Sequence, residues 1–291
     1  MTRQPASPTI RIGISGWSYP GWRGTFYPSQ LPQRAELDYA ASRFSTIEVN
    51  GTFYSLQRAS SFRSWRDRTP ADFVFALKGS RFITHMKQLN DPGQALANFF
   101  GQGVLELGEK LGPVLWQFSP RFRYRPERIE PFLSMLPGTQ REAGRRAAHH
   151  DHRVKDPTVT AHMPHRPIRH AMEIRHESFL VPEFTTMLRR YGVALVVSAT
   201  AGEYPLVEEV TTDFMYVRLH GAEAMYAGSY SDGELDHWAR RIRGWARDRD
   251  VFVYFDNDQK TRAPFDARRL MERLGLDAGR PGPGTTESLP S

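Results

Sequence analysis

The chain contains no cysteine in 291 residues. Disulfides, thiolate zinc sites and cysteine nucleophiles are therefore excluded outright, and a reducing compartment fits. No apolar run approaches the roughly 18 residues that a membrane span needs. The start of the chain, MTRQPASPT, lacks the apolar stretch of a signal peptide, so the reading is a cytoplasmic protein with no membrane partner. Both phosphate-cradling fingerprints, G-x-G-x-x-G and the P-loop pattern, are missing, and no tandem repeat is evident. Acidic residues are the scarcer sign: 32 Asp and Glu against 39 Lys and Arg give a formal +7 and a pI near 9.8. Between Thr139 and His170, however, seven basic residues stand against three acidic ones, so this one stretch holds +4 of the +7. The remainder is close to balanced, which weakens a nucleic-acid reading.

Enough is present to build a full-sized core, with 40% hydrophobic and 24% charged residues. Runs rich in β-branched and aromatic residues alternate with amphipathic stretches at helical spacing, the pattern of repeated βα units. Eight strands are expected, over residues 10–17, 46–50, 73–79, 113–119, 171–176, 193–198, 214–220 and 251–258. Helices are expected over 35–43, 60–68, 92–111, 126–136, 182–191, 231–247 and 264–274, with at most a short one after the sixth strand. This is the signature of a TIM-type (β/α)8 barrel in one domain. It should span residues 10–275, after a flexible 1–9 and before a disordered tail 276–291. Residues 138–169 form an irregular, histidine-rich insertion before strand five. His149, His150, His152, His162, His165 and His170 invite a metal reading, but proline-punctuated charged insertions are more often surface loops.

Side chains alternate between faces along a strand, so apolar parity identifies the face packed on helices. Met215, Val217 and Leu219 face outward, leaving Tyr216, Arg218 and His220 inside the barrel. The same parity directs Glu173 and Arg175, Glu48 and Asn50, and Tyr254 and Asp256 inward. Lys78, Gln117, Ser15, Trp17 and Ser198 join them with less decisive alternation. All lie near the C-terminal ends of their strands, where barrel enzymes carry their active sites. Loops above this ring are rich in aromatic residues, including Trp17, Tyr19, Trp22, Phe26, Tyr27, Phe53, Tyr54, Tyr226 and Tyr230. Trp22, Phe26 and Phe53 read mainly as loop anchors.

The ordered blocks GWSYPGWRGTFYP, EVNGTFY, ALKGSRFITH, LWQFSP, MEIRHESF, VRLHG and VYFDND cover residues from about 10 to 274. In these blocks the chain resembles the YecE-like family, domain of unknown function 72. The resemblance implies a barrel with one pocket but no reaction. Carried over by position, its pocket residues are Trp17, Tyr19, Glu48, Asn50, Lys78, Arg81, His85, Gln117, Glu173, Arg175, His176, Arg218, His220, Tyr226 and Asn257. The chain departs from the family pattern at Gly51, where Ser is usual, at Asp256, where Asn is usual, and in the insertion. Asp256 adds a negative charge to the candidate pocket.

This constellation points to acid/base chemistry (hydrolysis, isomerisation or elimination) on a small, polar, anionic substrate. Glu48 and Glu173 are candidates for general acid and base, their pKa values set apart by Lys78 or an arginine. His220 beside Arg218 is a candidate neutral base. Lys78, Arg175 and Arg218 would receive a carboxylate, phosphate or oxyanion. Trp17, Tyr19, Asn50, Arg81, His85, Gln117, His176, Tyr226, Asp256 and Asn257 complete the expected substrate shell. No cofactor is required. A divalent metal on Glu48, Glu173, Asp256 and His220 is the mechanistic variant, and three cations on the same rim oppose it. A nucleic-acid-binding or phosphodiester-processing barrel is the alternative, and the oligomeric state is open.

Overall fold

The computed structural model describes residues 7–158, 163–222, 226 and 228–276. Nine short strands form one all-parallel sheet: β1 (Ile10–Ser15), β2 (Thr46–Val49), β3 (Val74–Lys78), β4 (Leu111–Gln117), β5 (His170–Glu173), β6 (Val193–Leu195), β7 (Val197–Ala199), β8 (Phe214–Leu219) and β9 (Asp250–Phe255). They follow the order β6-β5-β4-β3-β2-β1-β9-β8-β7. The two ends of this order are halves of one expected strand. Leu195 is paired with Met172 of β5, whereas Val197 is already paired with Val217 of β8. Between them the Val196 N–H still donates to Met172 O at 3.0 Å. The chain thus changes partner within a single strand, and the sheet closes into a barrel of eight strand positions.

Around it lie α1 (Glu36–Arg43), α2 (Gly51–Tyr54), α3 (Ala59–Asp67), α4 (Gly93–Gly101), α5 (Pro126–Met135), α6 (Gln140–Ala147), α7 (Pro182–Tyr191), α8 (Asp232–Trp245) and α9 (Arg262–Leu274). Their starts follow local chemistry. Pro126 and Pro182 open α5 and α7, where a missing N–H costs nothing. At α8, Ser231 Oγ accepts from the Glu234 N–H and the Glu234 carboxylate accepts from the Ser231 N–H, a reciprocal capping box.

Two expectations need correction. The single helix read over 92–111 is α4 followed by a 3₁₀ segment over Val104–Lys110. Gly103 separates them at φ 128°, and a Cβ there would stand 2.5 Å from Ala59 Cα, so only glycine lets the chain turn so close to α3. The insertion is irregular for most of its length but contains α6. Thr139 caps it, and the small residues Ala143, Gly144 and Ala147 are buried. Alanine and glycine give no visible hydrophobic stripe, which is why the periodicity was silent.

Residues 200–213 form no helix, in line with the sequence. Of the expected flexible start, Thr9 is tied to the foot of β9: its N–H donates to Asp250 Oδ1 at 2.8 Å and its C=O accepts from the Val251 N–H. Residues 1–6, His162 and the tail from 277 lie outside the described residues.

The barrel separates two apolar layers. Outward side chains such as Ile47, Met172, Met215, Val217 and Val253 pack with the helices in one continuous core. Inside, Ala76, Leu115, Ala171, Ala194, Val196, Phe214, Tyr216, Phe252 and Tyr254 fill the lower barrel, making it a packed plug and not a pore. The polar side chains begin directly above this plug.

Candidate active site

Arg218, from the inward face of β8, is the hub of the upper barrel and is fully buried. Its Nε and Nη2 donate to the two oxygens of Glu48 at 3.1 and 2.8 Å, a bidentate pair. Nη1 donates to Glu173 Oε2 at 2.8 Å and Nη2 to Asp256 Oδ2 at 2.7 Å. Glu48 also accepts from Ser15 Oγ at 2.9 Å and from the Tyr216 hydroxyl at 2.6 Å. Glu173 accepts from Arg175 Nε at 2.9 Å and from Gln117 Nε2 at 3.1 and 3.0 Å. One guanidinium thus holds three carboxylates brought from β2, β5 and the end of β9. Burial is the largest single influence and would raise the Glu173 and Asp256 carboxyls, but Arg218 acting with its neighbours (Arg175, His220 and Lys78 on Glu173, His220 and Lys78 on Asp256) outweighs it, holding Glu173 well below the usual range and Asp256 at about 2. Those carboxylates in turn raise the Arg218 guanidinium well above its ordinary value despite burial.

This arrangement changes the roles read from the sequence. Glu48 and Glu173 are sealed, with every oxygen already accepting hydrogen bonds, so they position Arg218 and do not reach a substrate. Arg218, also sealed, is the centre of the platform and not a contact residue. His220 is buried, and burial together with Arg218 lowers its pKa, as expected. Its Nε2 faces Arg218 Nη1 at 3.0 Å. Arginine can only donate, so Nε2 is the acceptor and Nδ1 carries the proton, 3.1 Å from Asp256 Oδ2 but off the ideal hydrogen-bond line. With its lone pair occupied, His220 cannot serve as the base expected of it. The metal variant meets the same guanidinium: Glu48, Glu173 and Asp256 converge on Arg218, which stands where a cation would have to sit. Among the described residues no group of three His, Asp or Glu side chains is arranged to hold a metal, in the insertion or elsewhere.

Two expected contact residues act locally. Asn257 Nδ2 donates to Gly228 O and Asp266 Oδ2, both at 2.9 Å, fastening the loop after β8 to α9. His176 Nδ1 accepts from the Ser178 N–H at 3.0 Å and caps the turn after β5. His170, one of the histidines of the insertion, is a buried bracket. It lies between Trp116 Nε1 at 3.2 Å and Pro137 O at 2.9 Å, and burial lowers its pKa to about 4.

Above the platform, the C-terminal mouth of the barrel opens into a cavity of ≈ 510 Å³ lined by Phe53, Tyr54, Lys78, Arg81, His85, Met86, Gln117, Arg175 and Tyr226. Three of these are cationic residue types, and no carboxylate is among the described lining residues. Lys78 ends β3 and is 7% exposed. Its Nζ stands 4.5 Å from the centre of the Phe53 ring and has no ion-pair partner among the described residues. Burial, then Arg218, lowers its pKa to about 8. His85 is carried by a π-helical turn over Phe82–Met86 shortly after β3, and Arg81 flanks its N-terminal end. The His85 pKa falls to about 4, through burial and then Arg175. Arg175 lies 5.0 Å over the Tyr204 ring, and its Nη2 is buried without a protein partner. Tyr226 holds a left-handed backbone at φ 65°, clamped by its N–H to His220 O and its C=O to the Gln259 N–H.

A second cleft of ≈ 390 Å³ adjoins it across Tyr54, lined by Trp17, Tyr19, Asn50 and Trp65 among others. Beside it stands Asp258, which the sequence reading did not select. Burial and then Asp256 raise its carboxyl to about 8, so it is largely protonated at neutral pH. Asn50 Oδ1, Ser198 Oγ and Asp258 Oδ1 are likewise buried without a partner. Orphaned polar atoms are rare in protein interiors; others among the described residues, such as those of Gln140, Thr158 and Arg268, lie elsewhere, but these stand near the C-terminal end of the barrel, where water or ligand could complete their hydrogen bonds.

The family model described as "Protein of unknown function DUF72" matches residues 11–290. The chain belongs to the DUF72 family. UPF0759 protein YunF of Bacillus subtilis (strain 168) is 24% identical over 298 positions, covering 92% of this chain and 95% of the relative. The crystal structure of a DUF72 family protein from Thermotoga maritima MSB8 matches with 27% identity and a TM-score of 0.73, over 92% of this chain and 99% of that one. A DUF72 family structure from Enterococcus faecalis V583, at 19% identity, has the same TM-score of 0.73 over 96% of this chain and 100% of its own, and shows the shared fold. Among the described residues no helix is long and apolar enough to cross a membrane. Asp258 and Phe53 are two residues of this site that the sequence reading did not select. Asp258 shares the parity of Tyr254 and Asp256 in the strand read over 251–258, although β9 itself ends at Phe255, and Phe53, read as a loop anchor, is the aromatic partner of Lys78.

Proposed function

We propose that this DUF72 protein is an enzyme that binds a small anionic substrate at the C-terminal mouth of the barrel and moves a proton on it. The observation that carries this reading is the cavity with Lys78, Arg81 and Arg175 on its walls and no carboxylate among its described lining residues. Glu48, Glu173 and Asp256 are bonded to Arg218 below, and among the described residues Arg175 alone of the mouth's three cations shares one of them, through its Nε to Glu173, while its Nη2 and the Lys78 amine have no protein partner there. A carboxylate or phosphate fits Arg175 and Arg81 by the fork geometry of guanidinium recognition. Lys78, with a pKa of about 8, is the group best matched to proton transfer near neutral pH. Asp258, at about 8, is a second proton carrier beside the aromatic cleft.

Supporting a small ligand over a nucleic acid, the basic insertion leaves and rejoins the barrel at the opposite end. Gly138 O accepts from the Ile168 N–H at 2.9 Å, two residues before β5 begins. The test is a thermal-shift screen of carboxylated and phosphorylated metabolites, with uncharged analogues and oligonucleotides alongside, on the wild type and Arg81→Ala. Stabilisation by anions that weakens in the variant supports the reading. Stabilisation by oligonucleotides alone would replace it with a binding module.

A further inference from the structure

We propose that Lys78 is a covalent nucleophile, forming an imine with an aldehyde or ketone that carries a carboxylate or phosphate. The inference rests on the anionic-substrate reading above and names the reactive group of that substrate.

An amine that attacks a carbonyl must be neutral, fixed and unpaired, and its substrate must be held from a second point. Lys78 meets these needs. It ends a strand bonded on both sides, β2 and β4, so its backbone is rigid. Its amine faces an aromatic ring and the cavity, with no carboxylate locking it as an ammonium ion. Burial and the fixed Arg218 charge both favour the neutral form, the two general ways in which lysine nucleophiles are activated. With a pKa of about 8, roughly a tenth of Lys78 is neutral at pH 7, against well under a thousandth for a lysine at its ordinary value. Arg81 and Arg175 line the same cavity and supply the second point, gripping the anionic end while the carbonyl meets Nζ.

The steps balance without an oxidant or cofactor. The Lys78 nitrogen lone pair forms a C–N bond to the carbonyl carbon as the C=O π pair moves onto oxygen, and one proton passes from that nitrogen to the oxygen, through solvent, to give a neutral carbinolamine. The C–O bond then breaks. A second proton, supplied by solvent or the Tyr226 phenol on the cavity wall, leaves with the hydroxyl as water, and a protonated imine remains on Lys78. Burial raises the Tyr226 phenol, which keeps it a donor across the neutral range. The protonated imine would draw electrons from the adjacent carbon and so ease proton removal there.

The experiment incubates the full-length protein with pyruvate, and separately with glyceraldehyde 3-phosphate, at pH 7.5 with sodium cyanoborohydride, followed by intact mass and peptide mapping. The expected result is a reduced adduct on Lys78 at about tenfold or more the occupancy of Lys87, Lys110, Lys155 or Lys260. Lys78→Arg should lose that adduct. Arg81→Ala, at an exposed position that cannot upset the core, should lower it for both probes. Adducts spread evenly over the lysines, or none on Lys78, would overturn the imine. Thermal shift with pyruvate and inorganic phosphate on the same samples separates the two failures. If these anions stabilise the wild type but no Lys78 adduct forms, only the imine falls; if neither anion binds, the anionic-substrate reading falls with it.

Discussion

Replacing Arg218 by methionine should destabilise the barrel strongly, and the cost should depend on pH. In the wild type, Glu173 and Asp256 have pKa values held below their unfolded ones, against burial, by Arg218 as the largest of several neighbouring influences. Groups depressed in this way contribute stability that is present above their unfolded pKa, near 4, and is lost as pH falls through the folded value. Without the guanidinium the same carboxylates remain buried, and burial, the largest influence on each, raises their pKa values against the remaining opposition of Arg175 on Glu173 and His220 on Asp256. They then oppose folding most strongly when ionised. Breaking a buried ion pair by removing one partner costs about 3–5 kcal/mol. With an unfolding entropy of about 2.1 cal/mol/K per residue, that lowers Tm by roughly 5–8 °C for a chain of this length. The penalty should be full at pH 8 and should shrink by about 1 kcal/mol or more towards pH 5, where the orphaned carboxylates take up protons. Urea unfolding followed by tryptophan fluorescence, for both proteins at several pH values, reads it directly. A penalty below about 1 kcal/mol, or one that does not change with pH, would refute the view of Arg218 as the counter-charge of the upper barrel.

Lys78→Met removes a buried cation that has no described ion-pair partner and should leave the fold intact, raising stability at pH 7 by up to about 3 kcal/mol. Because the Lys78 pKa is depressed, its contribution is present above the unfolded value and lost as pH falls through about 8, so the gain in the variant should be largest below pH 8. Asp258 is the opposite case: raised to about 8, it contributes stability that is full below its unfolded value and lost as pH rises through about 8. Asp258→Asn should therefore flatten the decline of Tm between pH 5 and 8. Gly79→Ala would put a Cβ 2.3 Å from the Trp116 ring, below any contact that real side chains make, and should destabilise the protein by about 1–3 kcal/mol with a change in tryptophan emission.

The barrel was legible because strand parity is a strong constraint: one register slip would turn Met215, Val217 and Leu219 into the barrel and Arg218 out of it. The same parity located Glu48, Lys78, Glu173, Arg218 and Asp256 on one level. It could not tell which of them pair with one another and which face a ligand. That division depends on distances across the barrel, where Arg218 from β8 spans to β2 and β5, a non-local fact absent from any local pattern. The role of His220 was misread for this reason: its neutral state followed from its neighbour, but the occupied lone pair did not. The π-helical turn that carries His85, with Arg81 at its start, lies past the end of β3, where no periodicity reports side-chain direction. Helix α6 was hidden because it packs with alanine and glycine.

The most direct test of an anion-binding mouth is a thermal-shift titration with carboxylated and phosphorylated metabolites, comparing wild type with Arg81→Ala and Arg175→Met. A ligand-dependent rise in Tm for at least one anion, absent for its uncharged analogue and reduced in both variants, is the predicted result. No rise with any anion, or a rise of equal size in both variants, would contradict the placement of the substrate at Lys78, Arg81 and Arg175.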